Sequence, residues 1–220
     1  MVYDFHTHSF LSDGELLPME LIRRAAVKGY QAIGITDHAA PSNMERIIAE
    51  LTKECNLAKQ YWPIEVIPGV ELTHIPAGSI PELAAEARRL GAKLIVVHGE
   101  TLVEPVEPGT NLAAVSCKDV DILAHPGLLS EEAAILAAQN GVFIEITPRS
   151  GHNVGNGHVV QVGRSAGVKF VVNSDSHSPE NLLTETWART VAQGAGLTGV
   201  EIENATRVNP LELLARIQAR

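Results

Sequence analysis

The chain has 220 residues, a formal net charge of -9, 45% hydrophobic residues and 20% charged residues, a composition typical of one folded domain and not of a disordered chain. The negative charge disfavours a general polyanion-binding surface, because phosphate backbones are bound mainly by Lys and Arg, so a nucleic acid partner is not expected. The N-terminus lacks a basic and apolar leader, and no apolar run reaches the ~18 residues that span a bilayer, so we expect a cytoplasmic protein without a membrane partner.

Short β-branched segments alternate with longer helical ones along the chain. Seven strands are predicted, at 2–5, 32–36, 65–70, 93–97, 121–124, 142–146 and 169–172. Helical patterns separate them, at 18–28, 44–60, 80–90, 131–139 and 158–166, and two further stretches, 181–193 and 209–220, are predicted as outer helices. Several helical patterns end at a glycine, a common C-terminal signal. Because strands that alternate with helices pair in parallel through right-handed crossovers, the predicted class is α/β.

Two architectures fit seven parallel strands: a closed barrel and an open doubly wound sheet. Ionisable groups follow almost every predicted strand in this chain. In an open sheet such groups would gather at one switch point, whereas a barrel brings all the C-terminal strand ends around one mouth. The sequence therefore favours a (βα)7 barrel.

Imidazole or carboxylate groups come at the ends of six of these strands. His6 and His8 follow the first strand and are two residues apart, so both are expected to project from one face. The full set has nine members: His6, His8, Asp13, His38, Glu71, His98, His125, Asp175 and His177. Six of the nine histidines of the chain fall at such positions, which isolated surface histidines would not do. The sequence therefore predicts that these groups meet at the barrel mouth.

Imidazole with carboxylate is a ligand set suited to zinc, manganese or iron, and no thiolate takes part, so a structural zinc knuckle is not expected. Nine groups are too many for one ion with about four to six ligands, and a carboxylate such as Glu71 can bridge two ions. We therefore expect two or three divalent metal ions. Such ions lower the pKa of bound water and stabilise charge on a phosphoryl group.

The motif order HxH, SDG, TDH, GVE, VHG, AHPG and SDSH, from about Tyr3 to His177, resembles the polymerase and histidinol phosphatase (PHP) family. The resemblance implies a single PHP domain over 1–220, in the form of a distorted TIM-like barrel with a trinuclear metal centre. The predicted helix at about 209–220 would pack on this barrel.

The resemblance also implies how the ligands divide among the ions. The first ion would be held by His6, His8, Glu71 and Asp175, the second by Glu71, His98 and His125, and the third by Asp13, His38 and His177. Some relatives have a histidine at the position of Asp13, and an aspartate there would either weaken the third site or harden it toward manganese or iron.

The loop after the sixth strand brings two more polar residues to the same mouth. Arg149 could clamp a phosphate bidentately, and His152 could donate to the substrate or the leaving group; a surface role for both stays open. Asp175, His177 or a metal-bound water would protonate the leaving alkoxide. His74 and His158 have no comparable placement, and we expect them to be ordinary polar histidines.

These features predict a metal-dependent phosphoesterase, in which a metal-activated hydroxide attacks a small phosphomonoester such as histidinol phosphate, a sugar phosphate or a nucleotide phosphate. One alternative is a metal-dependent amidohydrolase, since those barrels also begin with HxH; Asp13 and His38 build a third site that such enzymes lack. The other alternative is a non-catalytic, metal-binding PHP module. Such modules often lose ligands, and none is missing here.

Overall fold

The computed structural model describes the whole chain, residues 1–220. It contains eight parallel strands: β1 (Val2–Asp4), β2 (Tyr30–Ile35), β3 (His38–Ala39), β4 (Glu65–Leu72), β5 (Leu94–His98), β6 (Ile122–Ala124), β7 (Phe143–Ile146) and β8 (Phe170–Val172). Seven of them follow the order β1-β2-β4-β5-β6-β7-β8, and β3 pairs with β4. The structure is thus the predicted, nearly closed barrel of seven parallel strands, with β3 as a short addition.

The barrel closes between β1 and β8, just beyond the regular strands. Thr7 forms a parallel bridge with Ser176. The Asp175 N–H donates to the His6 carbonyl at 3.0 Å, and the His8 N–H donates to the Ser176 carbonyl at 2.8 Å. These bonds lie in the segments that carry the first and the last predicted ligands, so barrel closure itself brings those ligands together.

Nine α-helices connect or cover the strands: α1 (Pro18–Val27), α2 (Met44–Tyr61), α3 (Ile80–Leu90), α4 (Thr110–Ser116), α5 (Glu131–Asn140), α6 (Asn156–Ala166), α7 (Glu185–Gly194), α8 (Gly199–Glu203) and α9 (Asn209–Gln218). Helices α3 and α5 end at Gly91 and Gly141, whose φ angles of 107° and 69° cost glycine no strain. The sequence patterns predict neither β3 nor α4 nor α8. These elements have two, seven and five residues, too few for a repeating pattern to emerge.

The apolar residues form two buried clusters, as the alternation along the strands requires. In β5, Leu94 and Val96 belong to a cluster of 12 residues inside the barrel, whereas Ile95 and Val97 belong to a cluster of 51 residues between the barrel and the helices. The next inward position of β5 is His98. The same alternation that fills the barrel thus delivers a polar residue to its mouth.

Helix α9 lies at the end of the barrel opposite the mouth. Leu213 and Ile217 belong to the cluster inside the barrel. Arg216 donates to the Gly141 carbonyl at 2.7 Å and to the buried carboxylate of Asp121 at 3.2 Å. Asp121 directly precedes β6 and Gly141 lies two residues before β7, so α9 covers the N-terminal strand ends. None of the nine helices combines enough length with enough apolar character to serve as a membrane span.

Candidate metal centre

The nine ionisable groups that follow the predicted strands lie together at the mouth of the barrel. They come from the segment after β1, from β3, β4 and β5, and from the segments after β6 and β8. Each belongs to at least one group of side chains whose nitrogen or oxygen ligand atoms lie within 4.8 Å of one another. The structure therefore brings together residues that are up to 171 positions apart, from His6 to His177.

Glu71 on β4 lies at the middle of this arrangement and has no exposed surface. Its Oε1 is 3.3 Å from His6 Nε2 and 3.5 Å from His125 Nε2. Its Oε2 is 2.8 Å from His38 Nδ1. One carboxylate thus faces imidazoles from three different segments, which is the placement that a bridging ligand needs.

The paired histidines after β1 share one face, as their spacing predicts. His6 Nε2 and His8 Nε2 are 3.0 Å apart, and His8 Nε2 is 3.3 Å from Asp175 Oδ1. Phe5 belongs to the cluster inside the barrel, so strict alternation would turn His6 outward. Regular strand pairing ends at Asp4, and this local break allows Phe5 and the two histidines to face inward together.

A third group gathers around Asp13, whose side chain is 51% exposed. Asp13 Oδ2 lies 3.1 Å from His177 Nε2 and 3.5 Å from His38 Nε2. The loop that carries Asp13 is held from below, because the Asp37 carboxylate accepts from the Ser9 N–H at 2.7 Å. This group is the most open part of the centre.

The remaining predicted ligands lie beside His152, which the sequence placed at the mouth, and beside Glu104, which it did not identify. His98 and His125 form a buried group with His152. Glu104, in the loop between β5 and α4, places Oε2 at 3.0 Å from His98 Nε2 and Oε1 at 3.5 Å from His152 Nε2. Glu104 lies six residues beyond the end of β5 and has no motif around it, so no sequence signal pointed to it.

His74 and His158, which we expected to be ordinary polar histidines, have different surroundings from each other in the structure. His74 has a positive φ of 50°, and its Nε2 lies 3.1 Å from Glu104 Oε2. His158 Nε2 instead donates to the Leu129 carbonyl at 2.9 Å and belongs to no ligand group. His74 thus lies at the edge of the candidate centre, whereas His158 lies outside it.

Several rings are oriented through Nδ1, which leaves Nε2 to face the centre. His6 Nδ1 contacts Glu145 Oε2 at 2.8 Å, and Asn173 donates to the same oxygen at 2.9 Å. His98 Nδ1 lies 3.2 Å from the Gly99 carbonyl. Such partners fix the tautomer of a metal-binding histidine. The sequence analysis did not identify Glu145 as a partner of His6. Alternation along β7 could have indicated it, because Phe143 faces the barrel interior and Glu145 is two residues further on.

The charges at the centre are strongly coupled. Burial acts to lower the pKa of His6, but Glu145 and Glu71 raise it well above the ordinary value. Burial lowers the pKa of His8 to about 4. Burial acts to raise the pKa of Asp175, yet His6 and His8 hold it below its usual range. The carboxylates thus stay ionised and favour positive charge beside them, which divalent cations would also provide.

The residues present fit a metal centre. Glu71 Oε1 and Glu145 Oε1 are buried and accept no hydrogen bond, although buried carboxylate oxygens are nearly always satisfied. His125 and Asp175 have φ angles of 28° and 51°, and residues other than glycine adopt such strained conformations mostly at functional sites. Nitrogen and oxygen donors without thiolates suit zinc, manganese or iron.

Arg149 lies beside the centre and not within it. It lines a cavity of about 420 Å³ with Pro148, Ser150, Ser174, Glu180, Asn181 and Trp187. Asn181 Oδ1 accepts from the His177 backbone N–H at 3.2 Å, and Ser174 directly precedes Asp175. The cavity therefore adjoins the ligand segment after β8. A second cavity of about 370 Å³ borders Asp13, His38 and Glu104.

Comparison with known protein sequences gives a consistent result. The model of the PHP domain matches residues 4–186. An uncharacterised protein of Methanocaldococcus jannaschii is 52% identical over 218 residues, which cover 99% of this chain and 100% of that protein. The DNA polymerase/3'-5' exonuclease PolX of Bacillus subtilis is 24% identical, over 95% of this chain but only 40% of its own length.

Solved structures with the same fold include a chain of an archaeal ribonuclease P with mature tRNA. That chain has a TM-score of 0.65 and is 16% identical, and the match covers 99% of this chain and 88% of that one. The histidinol phosphate phosphatase of Lactococcus lactis, complexed with zinc, L-histidinol and phosphate, has a TM-score of 0.60 and 17% identity, over 90% of this chain and 94% of that one. At these identities the likeness shows a shared fold.

Proposed function

Because the chain belongs to the PHP domain family and is a metal-dependent hydrolase with a ligand-rich barrel mouth, we propose that it hydrolyses a small phosphomonoester. The observation that carries this proposal is the convergence of nine imidazole and carboxylate groups beside a free arginine. Two or three divalent ions held by His6, His8, Asp13, His38, Glu71, His98, His125, Asp175 and His177 would supply activated water and offset phosphoryl charge.

Arg149 is the residue that we propose for binding the phosphate oxygens. Its guanidinium has no ion pair or hydrogen bond within the chain, and its backbone N–H donates to Thr147 Oγ1 at 3.2 Å. A guanidinium can bind two phosphate oxygens at once. Arg149 is also the only Arg or Lys that lines the two cavities beside the centre. One such cation suits one phosphate group better than a nucleic acid backbone.

Protonation of the leaving oxygen falls to Asp175 or His177 in this proposal. Asp175 is almost fully buried, and its low pKa keeps it ionised. The His177 side chain is 12% exposed, against 3% for Asp175, so it is the more accessible donor. His152 lines neither cavity, and its Nε2 lies 3.5 Å from Glu104 Oε1, which makes it a poorer donor to the substrate than the sequence suggested.

A phosphatase panel on metal-reconstituted protein tests the proposal. Zinc, manganese or iron is restored to metal-free protein, and phosphate release is measured from histidinol phosphate, sugar phosphates and nucleotide 3′- and 5′-phosphates. We expect activity that is lost in His8→Ala and in Glu71→Ala but kept in His158→Ala. Ammonia release from amides without phosphate release, or metal binding without turnover of any phosphate, would contradict it.

The role of Arg149 is tested separately. Arg149→Ala removes a charged hydrogen-bonding partner worth about 1.5–3 kcal/mol, which corresponds to about a 10- to 100-fold loss of kcat/KM. Arg89→Ala is the matched control, because Arg89 pairs only with Glu86 on the exposed face of α3. Equal activity in the two variants would exclude Arg149 from phosphate binding.

A further inference from the structure

A carboxylate and an imidazole outside the nine-residue set border the His98 and His125 half of the centre. His98, His125 and His152 are 3%, 3% and 8% exposed, and their nearest ring nitrogens lie within 4.8 Å of one another. Glu104 contacts two of these rings, at 3.0 Å to His98 and 3.5 Å to His152. Three buried imidazoles thus lie together, and the Glu104 carboxylate borders two of them.

The His98 ring faces two oxygens that can only accept. Nδ1 lies 3.2 Å from the Gly99 carbonyl, and Nε2 lies 3.0 Å from Glu104 Oε2. A neutral imidazole carries one hydrogen, so it can donate to only one of these oxygens. When that hydrogen is on Nδ1, the lone pair of Nε2 faces the Glu104 carboxylate. A divalent ion satisfies both atoms.

His152 is oriented in a comparable way. Its Nδ1 lies 2.6 Å from Thr101 Oγ1, so that Nε2 faces Glu104 at 3.5 Å. A hydrogen bond at one ring nitrogen that holds the ring and leaves the other nitrogen free for the ion is the usual arrangement around a metal-binding histidine.

The loop that carries Glu104 is anchored and does not depend on the centre for its position. Glu100 Oε1 accepts from the Gly109 N–H at 3.0 Å, which closes the loop on itself. Glu107 Oε2 accepts from the Ala77 N–H at 3.0 Å, which ties the loop to the segment after β4. The Glu104 carboxylate is thus held over the mouth by bonds on both sides of it.

We propose that His152 and Glu104 are ligands of the divalent ion held at His98 and His125. This gives that ion three imidazoles and a carboxylate of its own, a set that suits zinc. The assignment extends the nine ligands that the family resemblance implies, and it replaces the donor role that the sequence suggested for His152. His74, which contacts Glu104 at 3.1 Å, would act as a positioning residue for this carboxylate.

Metal binding by matched variants tests the assignment. Glu104→Gln and His152→Gln keep the size of each side chain or nearly so, and Glu86→Gln on the exposed face of α3 and His158→Gln are the controls from outside the centre. Zinc content is measured after dialysis against buffered zinc, and affinities are measured by chelator competition. We expect each test variant to lose one ion per chain, or to bind one ion at least about 10-fold more weakly. Both controls should match the wild type.

A measurement on the unaltered protein covers the case in which a variant fails to fold. The imidazole ¹⁵N resonances are followed during a zinc titration. We expect the His152 Nε2 resonance to shift together with that of His98, while the His158 resonances stay in place. The assignment is overturned if His152 behaves like His158, or if Glu104→Gln and His152→Gln bind zinc like the controls. These readouts do not depend on phosphatase activity, so they separate this assignment from the proposed reaction.

Discussion

Leu213→Ala is expected to destabilise the protein strongly, because Leu213 closes the barrel from below. The side chain has no exposed surface and belongs to the cluster inside the barrel with Ile217 of the same helix. Paired strands surround the site and limit its collapse, so the deletion should leave a cavity. Burial of this kind corresponds to a loss of about 3 kcal/mol, within the range of about 2–5 kcal/mol for leucine to alanine in a core.

The expected change in thermal stability follows from chain length. For a chain of 150–250 residues, 1 kcal/mol shifts Tm by about 2–4 °C, so Leu213→Ala should unfold about 6–12 °C below the wild type. Circular dichroism during heating and urea titration measure this. Both proteins are kept free of metal with a chelator, because bound ions shift Tm by mass action.

Leu211→Ala is the matched control on the same helix. Leu211 is 46% exposed, and an exposed substitution of this kind changes the free energy of unfolding by about 0.5 kcal/mol or less. A loss below about 1 kcal/mol for Leu213→Ala, or equal losses in the two variants, would refute the inference that α9 seals the barrel.

Three further outcomes follow from the structure. Glu145→Gln removes the charge that orients His6 and should weaken zinc binding about 10- to 100-fold by calorimetry; unchanged affinity would contradict its orienting role. Zinc or manganese at about 100 times Kd should raise the free energy of unfolding by about 2.7 kcal/mol per ion. Chelation should therefore lower Tm in a fluorescence scan, and a Tm that neither ion changes would contradict the metal centre. Burial raises the pKa of Cys55 to about 12, so little thiolate is present at pH 8. In a Cys117→Ser variant, a disulfide reagent should therefore label Cys55 only as the chain unfolds. Rapid labelling of the native protein would contradict this by showing an accessible thiol.

Much of the fold and the core of the candidate site follow from local sequence patterns. The run Leu94 to Val97 predicts a buried strand, and the next position places His98 at its C-terminal end. The same reasoning applies to Glu71 and to the segment that ends at His125. Parallel strands in a barrel share one mouth, so a polar residue at each strand end predicts a common site without any knowledge of distances.

The tertiary structure decided what no local pattern carries. Glu104 lies in a loop without periodicity, and it meets His152 only because the loops after β5 and β7 reach each other at the barrel mouth, although β6 separates the two strands. Helix α9 has an ordinary amphipathic pattern, and only the open lower end of the barrel determines where its apolar face is buried. The alternation of side chains along a strand is a local property of the residues themselves. Contacts between loops, and the place where the C-terminal helix packs, depend instead on how the sheet closes.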